Sequence, residues 1–121
     1  MADVITTVGK NAVAETIGGL NTDVFDHLAV GTSGTAAAAT NTALAEEVTA
    51  ANLAKVTATV TTTTANILQL QHTWTASATK ALKECGVFNN TADVILARSA
   101  FSTITVDSGD SIQITYKITV S

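Results

Sequence analysis

The last full stretch of the chain, SIQITYKITV (residues 111–120), alternates between apolar and polar residues at nearly every step. Ile112, Ile114, Tyr116, Ile118 and Val120 share one side, and Gln113, Thr115, Lys117 and Thr119 share the other. A period of two places successive side chains on opposite faces of a β-strand, so this stretch predicts a strand with one buried face and one wet face. The turn signal DSGD (107–110) precedes it. Before that, VILARSAFSTITV (94–106) is a long apolar run that predicts a more deeply buried strand.

The same reading extends toward the N-terminus. TKALKECGVF (79–88) predicts a strand that ends in the turn NNTAD (89–93). AKVTATVTTTT (54–64) alternates Val56, Ala58 and Val60 against Lys55, Thr57, Thr59 and Thr61. ANILQLQHTWTAS (65–77) sets Leu68, Leu70, His72 and Trp74 against Ile67, Gln69, Gln71, Thr73 and Thr75. A turn near Ala65-Asn66 makes 54–77 a hairpin. HLAVGTSG (27–34) reads as a short strand entering a Gly/Ser/Thr loop, and 35–48 as a low-complexity connector with a short helix over 42–51 beginning at Thr42. At the start, Val4, Ile5, Val8, Ala12, Val13 and Ile17 approximate one face at helical spacing. This predicts a helix over 3–17, with Asp3 capping its first turn and Gly18-Gly19 ending it. Strand signals roughly every ten residues imply an antiparallel β-sandwich of about six to eight strands with one N-terminal helix. The chain is read as one domain, 1–121, with a helical arm over 1–20 and the sandwich over 27–121.

Composition narrows the function classes. Of the 121 residues, 46% are apolar and only 13% are charged, so the chain folds but carries about half the usual share of charge. Twenty-three threonines supply the polar surface instead. Hydroxyls are cheaper to desolvate than charges, so such a surface suits extensive protein contact. The net charge is −4, and Lys10, Lys55, Lys80, Lys83, Arg98 and Lys117 are scattered, so no phosphate-binding stripe exists and nucleic acid is not an expected partner. MADVITTVGK has no basic segment leading into an apolar core, so a secretory signal is not expected. No apolar run reaches the roughly 20 residues of a membrane span. These features predict a protein made in the cytoplasm, with no membrane partner.

Few side chains could carry chemistry. His27 and His72 are the only histidines. Ser33 lies in GTSGT, which is not the G-x-S-x-G of a nucleophile elbow. Cys85 and His72 could form a nucleophile pair, but no third orienting group sits at a recognisable spacing, and a buried thiol is the plainer reading. Asp23 with Asp26, Glu46 with Glu47, and Asp107 with Asp110 lack the acid spacing of a calcium loop. No nucleotide cradle or zinc spacing is present. Trp74 is either a core residue or an interface anchor. Glu84 and Arg98 fall on neighbouring predicted strands, where an arginine–carboxylate pair would fix register. The sequence therefore predicts no enzyme, no cofactor and no metal.

Taken in order, these segments resemble a set of small virion proteins of tailed viruses infecting bacteria or archaea. In that set, a strand of the type h-A-h-G-T-G (h is apolar) precedes a loop ending in T-x-L-x-x-E. Then come E-x-G-h-F, h-L-A-R-x-x-F and a final strand. The matching residues are Leu28-Ala29-Val30-Gly31-Thr32; Thr42, Leu44 and Glu47; Glu84, Gly86, Val87 and Phe88; Leu96-Ala97-Arg98 and Phe101; and the strand 111–120. Cys85 departs from the pattern, which has a small or aliphatic residue there. The resemblance spans about 27–120 and implies a structural part of the virion: a capsid decoration (cement) protein, or a tail-fibre, collar or head-fibre module. It also implies a homo-oligomer, with a trimer favoured, bound to the major capsid protein or other virion proteins. The segment 3–17 and the Ala/Thr loop 32–42, read as flexible and easily ordered on docking, are the candidate contacts. Their residues are Val4, Ile5, Val8, Thr32, Ser33, Thr35 and Thr40. A reading of another class, a carbohydrate-binding or adhesin module, requires a solvent-facing aromatic platform built from Trp74, Tyr116, Phe25, Phe88 or Phe101.

Overall fold

The computed structural model describes residues 2–64, 66–91 and 94–120. In chain order it contains β1 (Ala2–Ile5), α1 (Thr7–Ile17), β2 (Phe25–Gly31), β3 (Val56–Thr57), β4 (Thr59–Thr64), β5 (Ile67–Thr75), β6 (Lys80–Asn89), β7 (Ile95–Val106) and β8 (Ser111–Thr119). Two sheets form, ordered β1-β7-β6-β2-β3 and β4-β5-β8. Every strand pairing is antiparallel. This is the expected mainly β, antiparallel sandwich, with eight strands and one N-terminal helix.

The alternation in β8 does what its period predicts. Ile112, Ile114 and Tyr116 are buried, while Gln113 and Lys117 are exposed. β5 lies beside β8 in continuous register from Ile67↔Thr119 to Thr75↔Ser111. Leu70 and Trp74 of β5 enter the same core, joined from the five-stranded sheet by Leu28, Val30, Leu82 and Val87. The five-stranded sheet is also covered on its outer face. There Ala29, Phe88 and Ile95 pack with Leu44 and with half-buried Val8. Burial on both faces explains why β2 and the first half of β7 read as continuous apolar runs rather than alternating ones. The expectation of deep burial along all of 94–106 holds only for its first half, since Ser102–Thr105 are exposed.

Three local readings are corrected. The predicted helix over 3–17 divides: Ala2–Ile5 form an edge strand on β7, paired Ala2↔Ala100 to Ile5↔Ala97, and the helix begins at Thr7. The arm is therefore part of the sandwich. Asp3 lies in β1, and the cap is Thr6, whose hydroxyl accepts the Gly9 N–H at 2.9 Å and donates to the Ile95 carbonyl at 2.5 Å. Val4 and Ile5 fit either element, and the open edge of β7 selects the strand. The expected helix over 42–51 does not form. Glu47 bridges to Gly31, Val48 N–H reaches Val30 O, and Thr32 N–H reaches Glu46 O, so this segment runs as an extended partner of β2. Ala51 and Asn52 then take left-handed conformations, with φ of 58° and 59°. The hairpin turn at Ala65 and the Ala92-Asp93 part of the NNTAD turn lie outside the described residues, as do Met1 and Ser121.

Gly9 explains how the helix can start so close to the sheet. A Cβ at this position would lie 2.6 Å from Leu96 Cα and 2.9 Å from Leu96 O, both backbone atoms. Gly9→Ala is therefore expected to destabilise the fold. Overpacking costs typically ~1–3 kcal/mol, which exceeds the roughly 1 kcal/mol that alanine gains over glycine inside a helix. A lowered melting temperature by circular dichroism checks this. An unchanged or raised one would show that α1 slides off β7 without cost.

A buried carboxylate and an open flank: the candidate functional site

Glu84 is wholly buried on the outer face of the five-stranded sheet, under the loop that follows β2. Its Oε1 accepts the Ala45 N–H at 2.9 Å and the Arg98 Nε–H at 2.9 Å. Its Oε2 accepts the Glu46 N–H at 2.8 Å and the Ser33 N–H at 3.1 Å. Arg98, 1% exposed, spends its other nitrogens on the Thr35 carbonyl at 2.8 Å and Asn41 Oδ1 at 3.3 Å. Gly31 admits the carboxylate, since a Cβ there would stand 2.5 Å from Glu84 Oε2. The pair read from the sequence thus exists, though not directly cross-strand: Gly86 faces Arg98, and Glu84 faces Ala100. Burial alone would raise the Glu84 pKa. The amides of Glu46 and Ala45, the Arg98 guanidinium and the Ser33 amide together hold it below the usual carboxylate value.

The same network places most of the predicted contact residues inside the fold. Ile5 is half-buried against the main core and Val8 against the outer cluster, and Val4 is half-buried in β1. Thr32 is half-buried, and Ser33 is buried, with its hydroxyl bonded to Thr35 Oγ1. Only Thr35 and Thr40 of the set are exposed. The 32–42 loop is not the free tether its composition suggests, because Arg98 and Glu84 anchor it near both ends and the Thr7 N–H bonds to Ala39 O.

Catalytic constellations are thin. His27 Nδ1 lies 2.6 Å from Asp26 Oδ1, and its Nε2 lies 3.3 Å from Thr57 Oγ1. This is the atom order of an acid–base triad, but His27 lines neither of the two grooves described below. Its effect is to hold β3 to β2, where His27 faces Thr57. His72 packs edge-on against Trp74. Trp74 itself is buried, with Nε1–H donating to Ala54 O at 3.0 Å. Cys85 is fully buried in the core. Among the described residues no group of three or more His, Cys, Asp or Glu side chains could hold a metal ion. Tyr116 and Phe88 are also buried, while Phe25 and Phe101 are half-buried.

What the sequence reading missed lies along one flank. Among the described residues nothing pairs with the outer edge of β8, which ends its sheet and bonds only to β5. At one end of this flank an apolar groove of about 640 Å³ opens between α1, β1 and β8, with Ile5, Val13, Phe25 and Ile118 in its wall. Three of its lining side chains are apolar and strongly exposed, Ile17 (83%), Val24 (53%) and Val120 (70%), and Leu20 (81%) is exposed just past the end of α1. At the other end a groove of about 960 Å³ lies between Ala36, Ala37, Phe101, Ile104 and Ile114. Two signals could have revealed this flank. Leu20 follows a helix stop with no pattern to bury it, and β8 carries its full alternation to the end of its sheet. No family model, curated protein or solved structure matches the chain.

The carboxylate network sets a pH dependence. Because folding lowers the Glu84 pKa, its contribution to stability is complete above the unfolded carboxyl value of about 4.3 and is lost as pH falls through that value to the folded one. Arg98→Ala should cost about 3–5 kcal/mol by leaving a buried charge without its ion partner. Glu84→Gln should be destabilised near neutrality and show a flatter stability–pH curve in acid. Urea titrations at stepped pH measure both effects; parallel acid slopes for Glu84→Gln and the parent would exclude this role.

Proposed function

We propose that this chain is a non-enzymatic structural protein of a virion, made in the host cytoplasm, whose most fitting role is to decorate and cement an assembled capsid. The observation that carries the proposal is the open flank. Four large apolar side chains stand exposed beside grooves with apolar walls, in a protein whose polar surface is built from hydroxyls rather than charges. Contiguous apolar surface of this kind marks a place where another protein binds. The ordered segments resembling small tailed-virus virion proteins support the choice of partner: the major capsid protein or another virion protein. Cementing would act by mass action. A copy that binds only the assembled shell favours the shell over its parts, and bridging two capsomers raises the effective concentration of each contact. The copies are proposed to act as a homo-oligomer.

Electron cryomicroscopy of the particle that contains this chain tests the reading. Density repeated across the capsid lattice is the expected result. Density confined to the tail, collar or a single vertex would instead assign a fibre or collar module. Leu20→Asp with Val24→Asp should leave melting unchanged, since both side chains are exposed, and should reduce particle binding; undiminished occupancy would remove this flank from the contact.

A further inference from the structure

We infer that the open edge of β8 is a self-association site, at which a second copy of this chain adds its own β8 antiparallel about a two-fold axis. This deepens the proposal of a homo-oligomeric virion protein by naming the surface where copies meet.

The backbone supplies the first argument. Val120 N–H bonds to Asn66 O at 2.9 Å, and these residues extend the β5–β8 register. Hydrogen-bonding direction alternates along an antiparallel strand. The N–H and C=O groups of Ser111, Gln113, Thr115, Lys117 and Thr119 therefore point away from β5, along an edge nine residues long. An edge of this kind is satisfied by an added strand. Among the described residues no other edge has that length. β1 has 4 residues, β3 has 2 and β4 has 6, so only β8 of a second copy covers the whole of it.

Charge supplies the second argument and sets the direction. Lys117 is the one charged residue of β8 and lies near its C-terminal end, while Asp107 and Asp110 flank the turn that enters its N-terminal end. Antiparallel apposition brings each Lys117 toward the partner's acidic turn, twice per dimer. A parallel arrangement would set like charge against like. Shape agrees with charge. The end that carries Val120, Ile17 and Leu20 as exposed projections meets the end at which Phe101 and Ile104 line the larger groove. The outer side chains are also suited to a copy of themselves. Gln71 Nε2 donates to Thr115 Oγ1 at 3.0 Å and Gln113 Nε2 to Thr73 Oγ1 at 3.2 Å across β5 and β8, and a second β8 offers the same amides and hydroxyls. The product is a continuous six-stranded sheet with an isologous interface.

The test is the mass of the purified chain by sedimentation equilibrium over a range of concentration and salt. The expected result is a reversible dimer. Lys117→Glu should weaken it by roughly tenfold at low salt, with the difference shrinking as salt rises. Thr115→Pro removes an outward N–H at an edge position where proline is tolerated, and should give a monomer with an unchanged circular dichroism spectrum. If Thr115→Pro unfolds, Lys117→Glu alone decides. A parent chain that stays monomeric, a trimer, or a dimer indifferent to both variants would overturn the inference. Particle binding is scored separately. A chain that dimerises but coats no particle defeats the virion reading and leaves the edge pairing intact; a monomer that coats particles does the reverse.

Discussion

The carboxylate of Glu84 is the constraint around which the five-stranded sheet is completed. Removing a carboxylate from water costs several kcal/mol, and the fold accepts this only because each oxygen receives two donors. Three of the four come from the backbone of the loop that follows β2. Ser33 is buried, Ala45 and Glu46 are exposed, and the amides of all three turn to the carboxylate. The anion thus substitutes for a missing strand, and the loop substitutes for missing solvent. Arg98 extends the arrangement to Thr35 and Asn41, so one ion pair organises the outer cover of the sheet from Ser33 to Glu46. That cover in turn holds Leu44 over Ala29, Phe88 and Ile95.

Legibility in the sequence followed the range of the force that acts. β5 and β8 each have one face in the core and one in water, so their own period of two is enough to identify them. β2 and the first half of β7 are buried on both faces and read as strands from apolar content alone. The misread segments answer to distant partners. Val4 and Ile5 lie in a strand because β7 offers an unpaired edge there, a fact placed some ninety residues downstream: Thr6 bonds to Ile95 at a separation of 89. Residues 42–51 have respectable helix-forming content, but Glu84 takes the Glu46 amide, which a helix beginning at Thr42 would have spent internally. Glu84 and Arg98 were legible as a pair because an acid and an arginine on adjacent apolar strands require each other. The amides that complete the site carry no side-chain signature and could not be read.

The two flanks of the sandwich are managed differently. On one, the β3–β4 crossover joins the two sheets, and the Asp26–His27–Thr57 contacts hold β3 to β2. On the other, β8 is left with its edge open and with apolar side chains standing around it. Edges are commonly blunted by bulges, proline or inward charge; β8 has an unbroken register with β5, and the chain contains no proline.

The distance in sequence between Thr6 and β7 also shapes how the molecule is made. A chain leaving the ribosome exposes its first strand and helix long before the residues they dock against exist. β1 and α1 must wait as an unsupported apolar segment until Ile95–Ala100 have emerged and paired with β6. Such non-local closure slows folding and leaves β1 and α1 open to capture by other chains in the interval.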